Sequence, residues 1–531
     1  MQSSKSSPTA QKGKTVMAFE RQSGILLHPT SLPGPYGIGE IGQAAFDFID
    51  DLARAGQRLW QILPINATGN NASPYSATST FAANPVLIDI GELMKLGLLQ
   101  ADEVNHLRDL PQERVDYEVT VPDRMAVLMR AARRLVQGQA GDGLEAHRAG
   151  LLAFKARHGA AWLDDYALFE AISVSRARAG WMHWPPELAR REGAALAHAR
   201  QSLSGEIAAI EALQYLFDVQ WQALRAYGAA KGIQLVGDIA IFVAHDSADV
   251  WTRPDLFKLD ADFNTLVGAG VPPDYFSEIG QLWGNPIYDW EAMAREGFAW
   301  WVARVGRLLD FADAARIDHF RGFESCWETP AGETTAINGK WVKAPGAALF
   351  TAIFKAHPDL QVIAEDLGFI TPEVLALRDQ FGFPGLKILQ FEFGEGPPRD
   401  ERHPYHYPPN TVTYPSTHDS NTVRGWFLND GLEAAARAAD APREAADALA
   451  LLGGDGSDIH WRMIELALQS GSDLAIIALQ DVMGLDGSGR MNMPGTITNN
   501  WAWRYHSAQL DPADLDRLAA LTRQYGRMAA A

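Results

Sequence analysis

Three carboxylates follow short, mainly apolar segments of the chain. Asp318 comes two residues after Arg316 in one segment, Glu365 ends a second and Asp419 follows a third. Short apolar segments of this kind are typical of buried strands. In a barrel of parallel strands, the carboxyl ends of the strands meet at the face where catalytic residues lie. The sequence therefore predicts that the three carboxylates form one site.

Cleavage of a glycosidic bond is a reaction that such a set could perform. One carboxylate attacks the anomeric carbon or guides water to it, and a second, protonated carboxyl group gives its proton to the leaving oxygen. Beside Arg316, Asp318 is expected to have a lowered pKa and to stay ionised, as a nucleophile must. Glu365 follows three apolar residues, so we expect a raised pKa and the role of acid. Asp419 would orient sugar hydroxyls and favour a positively charged transition state.

Polar residues close to these carboxylates could hydrogen-bond sugar hydroxyls. They are His418, His319, Asn421 and His28. Each could equally be a structural residue with its hydrogen bonds satisfied. A single aspartate after a strand is also more often a helix cap or half of an ion pair than a catalyst. Only the joint pattern of three strand ends favours catalysis.

The elements that would position these residues alternate between apolar segments and helical periodicity. A strand, a loop, a helix and a second strand within about forty residues are typical of the βαβ unit of a parallel sheet. Eight such strands predict an α/β fold, a (β/α)8 TIM barrel. The candidates are Gly24–His28, Arg58–Leu63, Ile233–Ala240, Ala314–Asp318, Gln361–Glu365, Gly385–Phe391, Thr411–Thr417 and Asp473–Gln480.

The remaining sequence predicts insertions rather than further domains. Residues 1–20 are expected to be a disordered tail and residues 21–531 one catalytic barrel, with mostly helical insertions at about 66–232, 242–297 and 420–472. About fifty residues follow the last strand, too few for a C-terminal β-sandwich of about 100 residues.

Composition excludes several classes of partner. A net charge of −19 argues against nucleic acid and anionic membranes, so a neutral ligand is expected. The first twenty residues lack the apolar core of a signal peptide, and no long apolar segment follows, which predicts a cytoplasmic location and no membrane contact.

Cys326 is expected to be a buried structural thiol. No cluster has the spacing of metal ligands, so neither a metal nor a cofactor is expected. A monomer or weak homo-oligomer is expected.

Several long motifs resemble those of the 4-α-glucanotransferases, also called amylomaltases or disproportionating enzymes, in the α-amylase-like clan. The resemblance extends from about Ser23 to Trp503. The motifs, in chain order, are Gly24–Gly37, Ser73–Tyr75, Asp165–Phe169, Tyr275–Pro286, Arg316–Gly322, Ala364–Gly368, Ser416–Asp419 and Asn492–Thr496.

The resemblance implies transfer of an α-1,4-glucan segment to the 4-hydroxyl of another glucan or of glucose, in maltodextrin and glycogen metabolism. It implies a retaining double displacement, with Asp318 as nucleophile, Glu365 as acid and base and Asp419 as transition-state stabiliser. The partners would be a malto-oligosaccharide or α-1,4-glucan donor and a sugar acceptor. The predicted substrate-binding residues are Arg316, His418, Asp238, Tyr75, His319 and Asn492, with Tyr275, Phe276 and Trp283 on a loop over the acceptor sites.

One residue departs from the family pattern, and two other functions remain open. Ile279 stands where the family usually has threonine, so acceptor preference is the property in question. An α-glucan hydrolase of the α-amylase type would share the three carboxylates. A catalytically inactive glucan-binding protein could use the same scaffold. Products formed from maltotriose would distinguish the three.

Overall fold

A computed structural model describes residues 19–69, 72–138, 144–273, 278–431 and 435–528. The strands are β1 (Gln22–Leu26), β2 (Leu59–Gln61), β3 (Gln234–Ile239), β4 (Val267–Val271), β5 (Gln281–Pro286), β6 (Ala314–Ile317), β7 (Ser325–Pro330), β8 (Lys340–Lys343), β9 (Gln361–Ala364), β10 (Gly385–Ile388), β11 (Thr411–Tyr414) and β12 (Leu474–Ala478). Eight parallel strands close into a barrel in the order β1-β12-β11-β10-β9-β6-β3-β2, and four others form an antiparallel sheet in the order β5-β4-β7-β8.

The barrel confirms the predicted fold class, and each of its strands lies within or overlaps a predicted strand. Apolar side chains explain why these segments are strands buried on both faces. β12, for example, reads Leu-Ala-Ile-Ile-Ala, and all five residues are buried. Strands covered on both faces need such continuous apolar sequence.

Helices surround the barrel and fill the connections between strands. They are α1 (Gln43–Arg54), α2 (Ile90–Lys95), α3 (Ala101–Val104), α4 (Tyr117–Gln137), α5 (Leu144–His158), α6 (Asp164–Ser175), α7 (Pro186–Ala189), α8 (Gly193–Ser202), α9 (Ser204–Ala230), α10 (Ala248–Thr252), α11 (Trp290–Arg295), α12 (Ala299–Phe311), α13 (Gly346–Ala356), α14 (Pro372–Gln380), α15 (Val423–Leu428), α16 (Ala441–Leu452), α17 (Ile459–Gln469), α18 (Leu479–Val482) and α19 (Pro512–Gln524).

α1 illustrates how sequence determines a helix of the outer layer. Its buried residues Ala45, Phe48, Ile49 and Leu52 recur at helical spacing, so one face is apolar and packs inward. Gly56, with φ of 70°, ends the turn in a conformation that glycine adopts without strain. The connection from β10 to β11 differs, since its ordered turns are short 3-10 segments rather than an α-helix.

The antiparallel sheet was missed by the sequence analysis, which expected mostly helical insertions. β4 reads Val-Gly-Ala-Gly-Val, and its pairing partner β7 lies about sixty residues away in the chain. Glycine-rich strands carry little apolar alternation, so their pairing depends on distant segments that local patterns cannot identify. Trp283 on β5 connects this sheet with the loop after β6, because its ring packs against His319.

The start of the described chain, the region after β12 and Cys326 can each be compared with the predictions from sequence. Residues 1–18 lie outside the described part, but Phe19 is buried in the core, so the chain joins the core before the predicted end of the tail at residue 20. Among the described residues, no strand follows β12. Cys326 is a buried free thiol, as predicted. No helix within the described ranges is long and apolar enough to cross a membrane.

Candidate active site

The carboxyl ends of the barrel strands bring the predicted carboxylates to one face. Asp318 directly follows β6, Glu365 directly follows β9, and Asp419 lies in the loop after β11. The Glu365 amide donates a hydrogen bond to the Ile317 carbonyl at 3.0 Å, so the two strand ends are tied side by side. The barrel therefore places two of the three carboxylates on directly neighbouring strand ends.

A buried arginine joins two carboxylates at the centre of the site. Arg316 Nη1 donates to both oxygens of Asp238, at 2.8 and 2.7 Å, and to Asp318 Oδ1 at 3.1 Å. Asp238 faces Arg316 because β3 and β6 pair with these residues in register. Burial alone would lower the pKa of Arg316. The neighbouring carboxylates raise the pKa by more than burial lowers it, so the guanidinium stays charged. The arginine thereby fixes the orientation of the Asp318 carboxylate.

The expected lowering of the Asp318 pKa is wrong. Burial raises the pKa of Asp318 to about 6, and the attraction of Arg316 offsets only part of this shift. The Asp238 and Asp419 carboxylates raise it further. Desolvation and like charges disfavour ionisation, and both depend on packing that the local sequence does not contain.

Glu365 has the higher pKa of the two neighbouring carboxyls. Burial raises its pKa to about 7, and the Asp318 carboxylate adds to the shift. The backbone amides of His319 and Leu367 donate to its two oxygens at 2.6 and 3.0 Å, which partly opposes the rise and holds the side chain in place. Because Asp318 loses its proton first, the pair separates into one ionised and one protonated carboxyl group.

Asp419 behaves in the opposite way. Burial alone would raise its pKa, but the His418 side chain, at 3.3 Å, and Asn492, whose Nδ2 donates at 2.6 Å, hold the pKa below its usual range. Asp419 therefore stays ionised, and its side chain remains 43% exposed toward the mouth of the barrel. A fixed negative charge of this kind favours a positively charged group placed beside it.

Tyr75 connects these groups across the site. Its hydroxyl donates to Asp238 Oδ2 at 2.8 Å and lies 2.9 Å from His418 Nε2. Because the hydroxyl proton is used on Asp238, the Tyr75 oxygen accepts from His418, which places a proton on Nε2. The Tyr75 and His418 rings also stack, with centroids 5.5 Å apart.

Two further predicted residues, Trp283 and His319, pack against each other at the rim. Trp283 packs its ring edge-on against His319, with centroids 4.9 Å apart, and keeps 38% of its surface exposed. His319 Nε2 is buried and has no hydrogen-bond partner among the described residues, while burial lowers the pKa of this histidine to about 4 and keeps it neutral. Tyr275 and Phe276 lie outside the described residues. Ile279 is exposed.

Sequence reasoning missed residues that hold this site together. Arg490 donates to the carbonyl oxygens of Asp419 and Asn492, each at 2.7 Å. Trp501, with φ of 64°, places its ring 5.7 Å from Tyr75. The local sequence around them gives no periodicity that would have identified these contacts. Of the other candidates, Asn421 lies buried and donates to the Asp430 carbonyl.

His28 lies beside His418 at the end of β1. Burial, and to a smaller extent His418, lowers the pKa of His28 to about 3, so it is neutral. Within the described ranges, no group of three or more His, Cys, Asp or Glu side chains could hold a metal ion.

Comparison with known proteins gives one consistent family. Residues 27–510 match the sequence profile of the family Glyco_hydro_77, described as 4-alpha-glucanotransferase. The chain is similar to the 4-alpha-glucanotransferase of Thermus thermophilus, with 43% identity over 96% of this chain and 100% of the relative. It is also similar to the chloroplastic/amyloplastic 4-alpha-glucanotransferase of Solanum tuberosum, with 41% identity over 96% of this chain and 87% of the relative.

Solved structures agree with this result. The amylomaltase from Streptococcus agalactiae in complex with acarbose matches with a TM-score of 0.87 and 37% identity, covering 96% of this chain and 100% of that one. The amylomaltase from Corynebacterium glutamicum shares the fold, with a TM-score of 0.76 at 20% identity, covering 96% of this chain and 75% of that one.

Proposed function

The chain belongs to the 4-alpha-glucanotransferase family and has that activity, and on this basis we propose that it works by a retaining double displacement on α-1,4-glucans. The donor is a malto-oligosaccharide or longer α-1,4-glucan, and the acceptor is a second glucan or glucose. The acarbose bound to the Streptococcus agalactiae relative supports a sugar ligand for this site.

In the first step, a carboxylate oxygen of Asp318 attacks the anomeric carbon and forms a glycosyl ester. The bond to the glycosidic oxygen breaks at the same time, and Glu365 gives that oxygen its proton, so the leaving glucan departs neutral. The observation that carries this assignment is geometric. Arg316 Nη1 donates to Asp318 Oδ1 at 3.1 Å and favours its ionised form, whereas Glu365 lies beside the Asp318 carboxylate, which favours the protonated form of Glu365.

In the second step, the 4-hydroxyl of an acceptor sugar attacks the same carbon. Glu365, now ionised, takes the hydroxyl proton, and the ester bond to Asp318 breaks, which restores both carboxyl groups. Asp419, which stays ionised, stabilises the positive charge that develops on the sugar ring in both steps. Arg316, Asp238, Tyr75 and His418 form the network around the reacting sugar.

Incubation of the purified protein with maltotriose tests the function. Transfer gives glucose together with a ladder of longer oligosaccharides, whereas hydrolysis gives only shorter products and an inactive binding protein gives none. Product analysis by NMR tests the stereochemistry, because retention requires that the glycosidic bond formed to the acceptor is an α-linkage. A newly formed β-linkage would refute the double displacement.

We assign to Trp283 the task of favouring a sugar acceptor over water. Its exposed ring beside His319 is available to stack on a glucose ring and to exclude water from the glycosyl ester. Trp283→Ala should raise the ratio of hydrolysis to transfer on maltotriose, measured as reducing ends gained against glucose released. Formation of the glycosyl ester should change much less. An unchanged ratio in a folded variant would remove this role from Trp283.

The predicted cytoplasmic location and the predicted state of monomer or weak homo-oligomer stay predictions. So do the acceptor-loop roles of Tyr275 and Phe276 and the effect of Ile279 on acceptor preference.

A further inference from the structure

Two exposed aromatic rings flank one buried arginine at the rim of the barrel mouth. Trp341 lies on edge strand β8 and is 36% exposed, and Phe369 is 46% exposed. The Arg321 guanidinium lies 3.5 Å from the centroid of the Trp341 ring and donates a hydrogen bond to the Phe369 carbonyl oxygen. We call Trp341 and Phe369, with Arg321 between them, the rim platform.

The rim platform is fixed from below. Arg321 is only 3% exposed, and its other terminal nitrogen donates to Ser325 Oγ at 3.0 Å. Trp327 packs its ring edge against Trp341, with centroids 5.1 Å apart. An aromatic ring held by a stacked cation and by a second ring loses little conformational entropy when a ligand covers it. The structure thus holds an exposed tryptophan in one orientation.

The rim platform belongs to the same two loops as the reacting carboxyls. Arg321 comes three residues after Asp318, and Phe369 comes four residues after Glu365. The His319 amide bonds Glu365 and the Arg321 side chain bonds Phe369, so the two loops are joined at both points. The platform therefore lies on the same two joined loops as the reacting carboxyls.

We propose that the rim platform binds a segment of α-glucan chain outside the catalytic cleft. The inference rests on the glucan substrate class of the proposed function. Sugar rings have flat apolar faces that stack on aromatic side chains. Because a glucan is neutral, its binding requires no unpaired charged side chain at this surface. Lys343, two residues after Trp341, is paired with Glu324. The exposed apolar surface here is two separated rings, which suits single sugar units better than the wide apolar core of a protein interface.

The test compares a short and a long substrate. Trp341→Ala should lower kcat/KM for long-chain amylose, with glucose as acceptor, by about three- to tenfold, the range expected for one lost stacking contact. Its kcat/KM for maltotriose should remain near the wild-type value, because the proposal places the platform outside the cleft and maltotriose has only three sugar units. Trp341→Phe should recover most of the loss because it keeps a ring. Leu152→Ala removes an exposed apolar side chain on α5, away from the platform, and serves as the control.

A second variant and a binding measurement keep the proposal testable. Phe369→Ala leaves the Arg321–Trp341 stack in place, so it should show the same selective loss even if Trp341→Ala folds poorly. In an Asp318→Asn background, which prevents turnover, Trp341→Ala should reduce the retardation of the protein in a native gel that contains amylose.

Three results would overturn the proposal that the rim platform binds glucan. The first is unchanged kcat/KM on amylose and unchanged gel retardation in both folded variants. The second is an equal loss of kcat/KM on amylose and on maltotriose, which would place these rings within the cleft. The third is a change of oligomeric state in Trp341→Ala, seen by light scattering, with unchanged kcat/KM on amylose, which would make the surface a contact between copies of this chain. In each case maltotriose disproportionation by the wild type still tests the proposed function separately.

Discussion

At the scale of single residues, the site depends on two neighbouring carboxyls with different proton affinities. Burial raises the pKa of both, but Asp318 lies against the charged Arg316, whereas Glu365 lies against the Asp318 carboxylate. The same desolvation therefore leaves Asp318 as the stronger acid. The partner of each group, rather than its type, supports the proposed roles of Asp318 as nucleophile and Glu365 as acid.

Glu365→Gln should separate the two chemical steps. Because glutamine cannot give a proton to the leaving oxygen, turnover of maltotriose should fall by about 10²- to 10⁴-fold. α-Maltosyl fluoride needs no such proton, so this variant should release a burst of fluoride close to one equivalent of enzyme. The glycosyl group should then remain on Asp318, where mass spectrometry of a digest would find it.

Asp318→Asn is the matched control for that experiment. It keeps the shape of the side chain and removes the nucleophile, so no burst of fluoride is expected. A label on any residue other than Asp318, or turnover of maltotriose at the wild-type rate by Glu365→Gln, would contradict the assignment of roles.

The pH dependence of kcat/KM for maltotriose should be a narrow bell. Below a pH of about 6, Asp318 is protonated and cannot attack, and above about 7 Glu365 has lost the proton that the leaving oxygen needs. The two limbs belong to the interacting pair as a whole. With α-maltosyl fluoride as donor, the alkaline limb for the first step should disappear while the acid limb remains. A profile on maltotriose with no alkaline limb would exclude Glu365 as the acid.

At the scale of elements, one buried aspartate anchors the loop that carries His418 and Asp419. Asp481 is fully buried in α18, the short helix that follows β12. One of its oxygens accepts from the Ser416 hydroxyl and the other from the Val423 amide at 2.7 Å, so the loop is held at both ends. Burial raises the pKa of Asp481 to about 6, and these two hydrogen bonds oppose the rise. We interpret Asp481 as a positioning residue.

Asp481→Asn should reduce kcat by about tenfold or more while the KM for maltotriose changes little, because an amide cannot accept both hydrogen bonds and the loop shifts. Stability should fall by about 1–3 kcal/mol. Gln57→Leu is the control, since Gln57 is buried at the opposite end of the barrel and bonds Thr522 there at 2.9 Å. It should lower the melting temperature without changing kcat. Equal kinetic effects in both variants would mean that Asp481 acts on stability alone.

At the scale of the whole molecule, one arginine, Arg527, bonds the beginnings of the first and last strands of the barrel to each other. Arg527 is fully buried and donates to the carbonyl oxygens of Gln22, at the start of β1, and Asp473, just before β12, at 3.2 and 3.0 Å. It also bonds the carbonyl oxygens of Leu468, Ser470 and Ser472 at 2.6, 3.1 and 2.9 Å. Arg21 also donates to the carbonyl oxygens of Leu468, Ser470 and Ser472, so the two arginines together satisfy backbone acceptors at the end of the barrel opposite the active site.

Arg527→Met should lower the free energy of unfolding by about 1–3 kcal/mol. The buried carbonyl oxygens lose their charged donor Arg527, although Arg21 still donates to those of Leu468, Ser470 and Ser472. The measurement is thermal unfolding followed by calorimetry. Activity on maltotriose at 25 °C should stay close to that of the wild type, since Arg527 lies at the end of the barrel opposite Asp318. Arg527→Lys should recover only part of the loss, because an ammonium group cannot reach all of these acceptors. An unchanged melting temperature in Arg527→Met would contradict this account.

The sequence by itself determined the barrel and the places where its carboxylates stand. Apolar runs such as β12 and helical spacing such as that of α1 are local patterns, and burial on both faces makes them necessary for a parallel barrel. Since the strands are parallel, Asp318 and Glu365 had to lie at the same face. The motifs also identified the family, which the comparisons confirm.

Only the tertiary structure decided how those carboxylates behave. The Tyr75 hydroxyl meets Asp238 across 163 residues of sequence, and Asp481 holds Ser416 across 65. The antiparallel sheet likewise required pairing between distant segments. The pKa of Asp318 was predicted with the wrong sign because the sequence showed its arginine neighbour but not its burial. Desolvation and long-range hydrogen bonds are properties of packed atoms, so they exist only once the chain has folded.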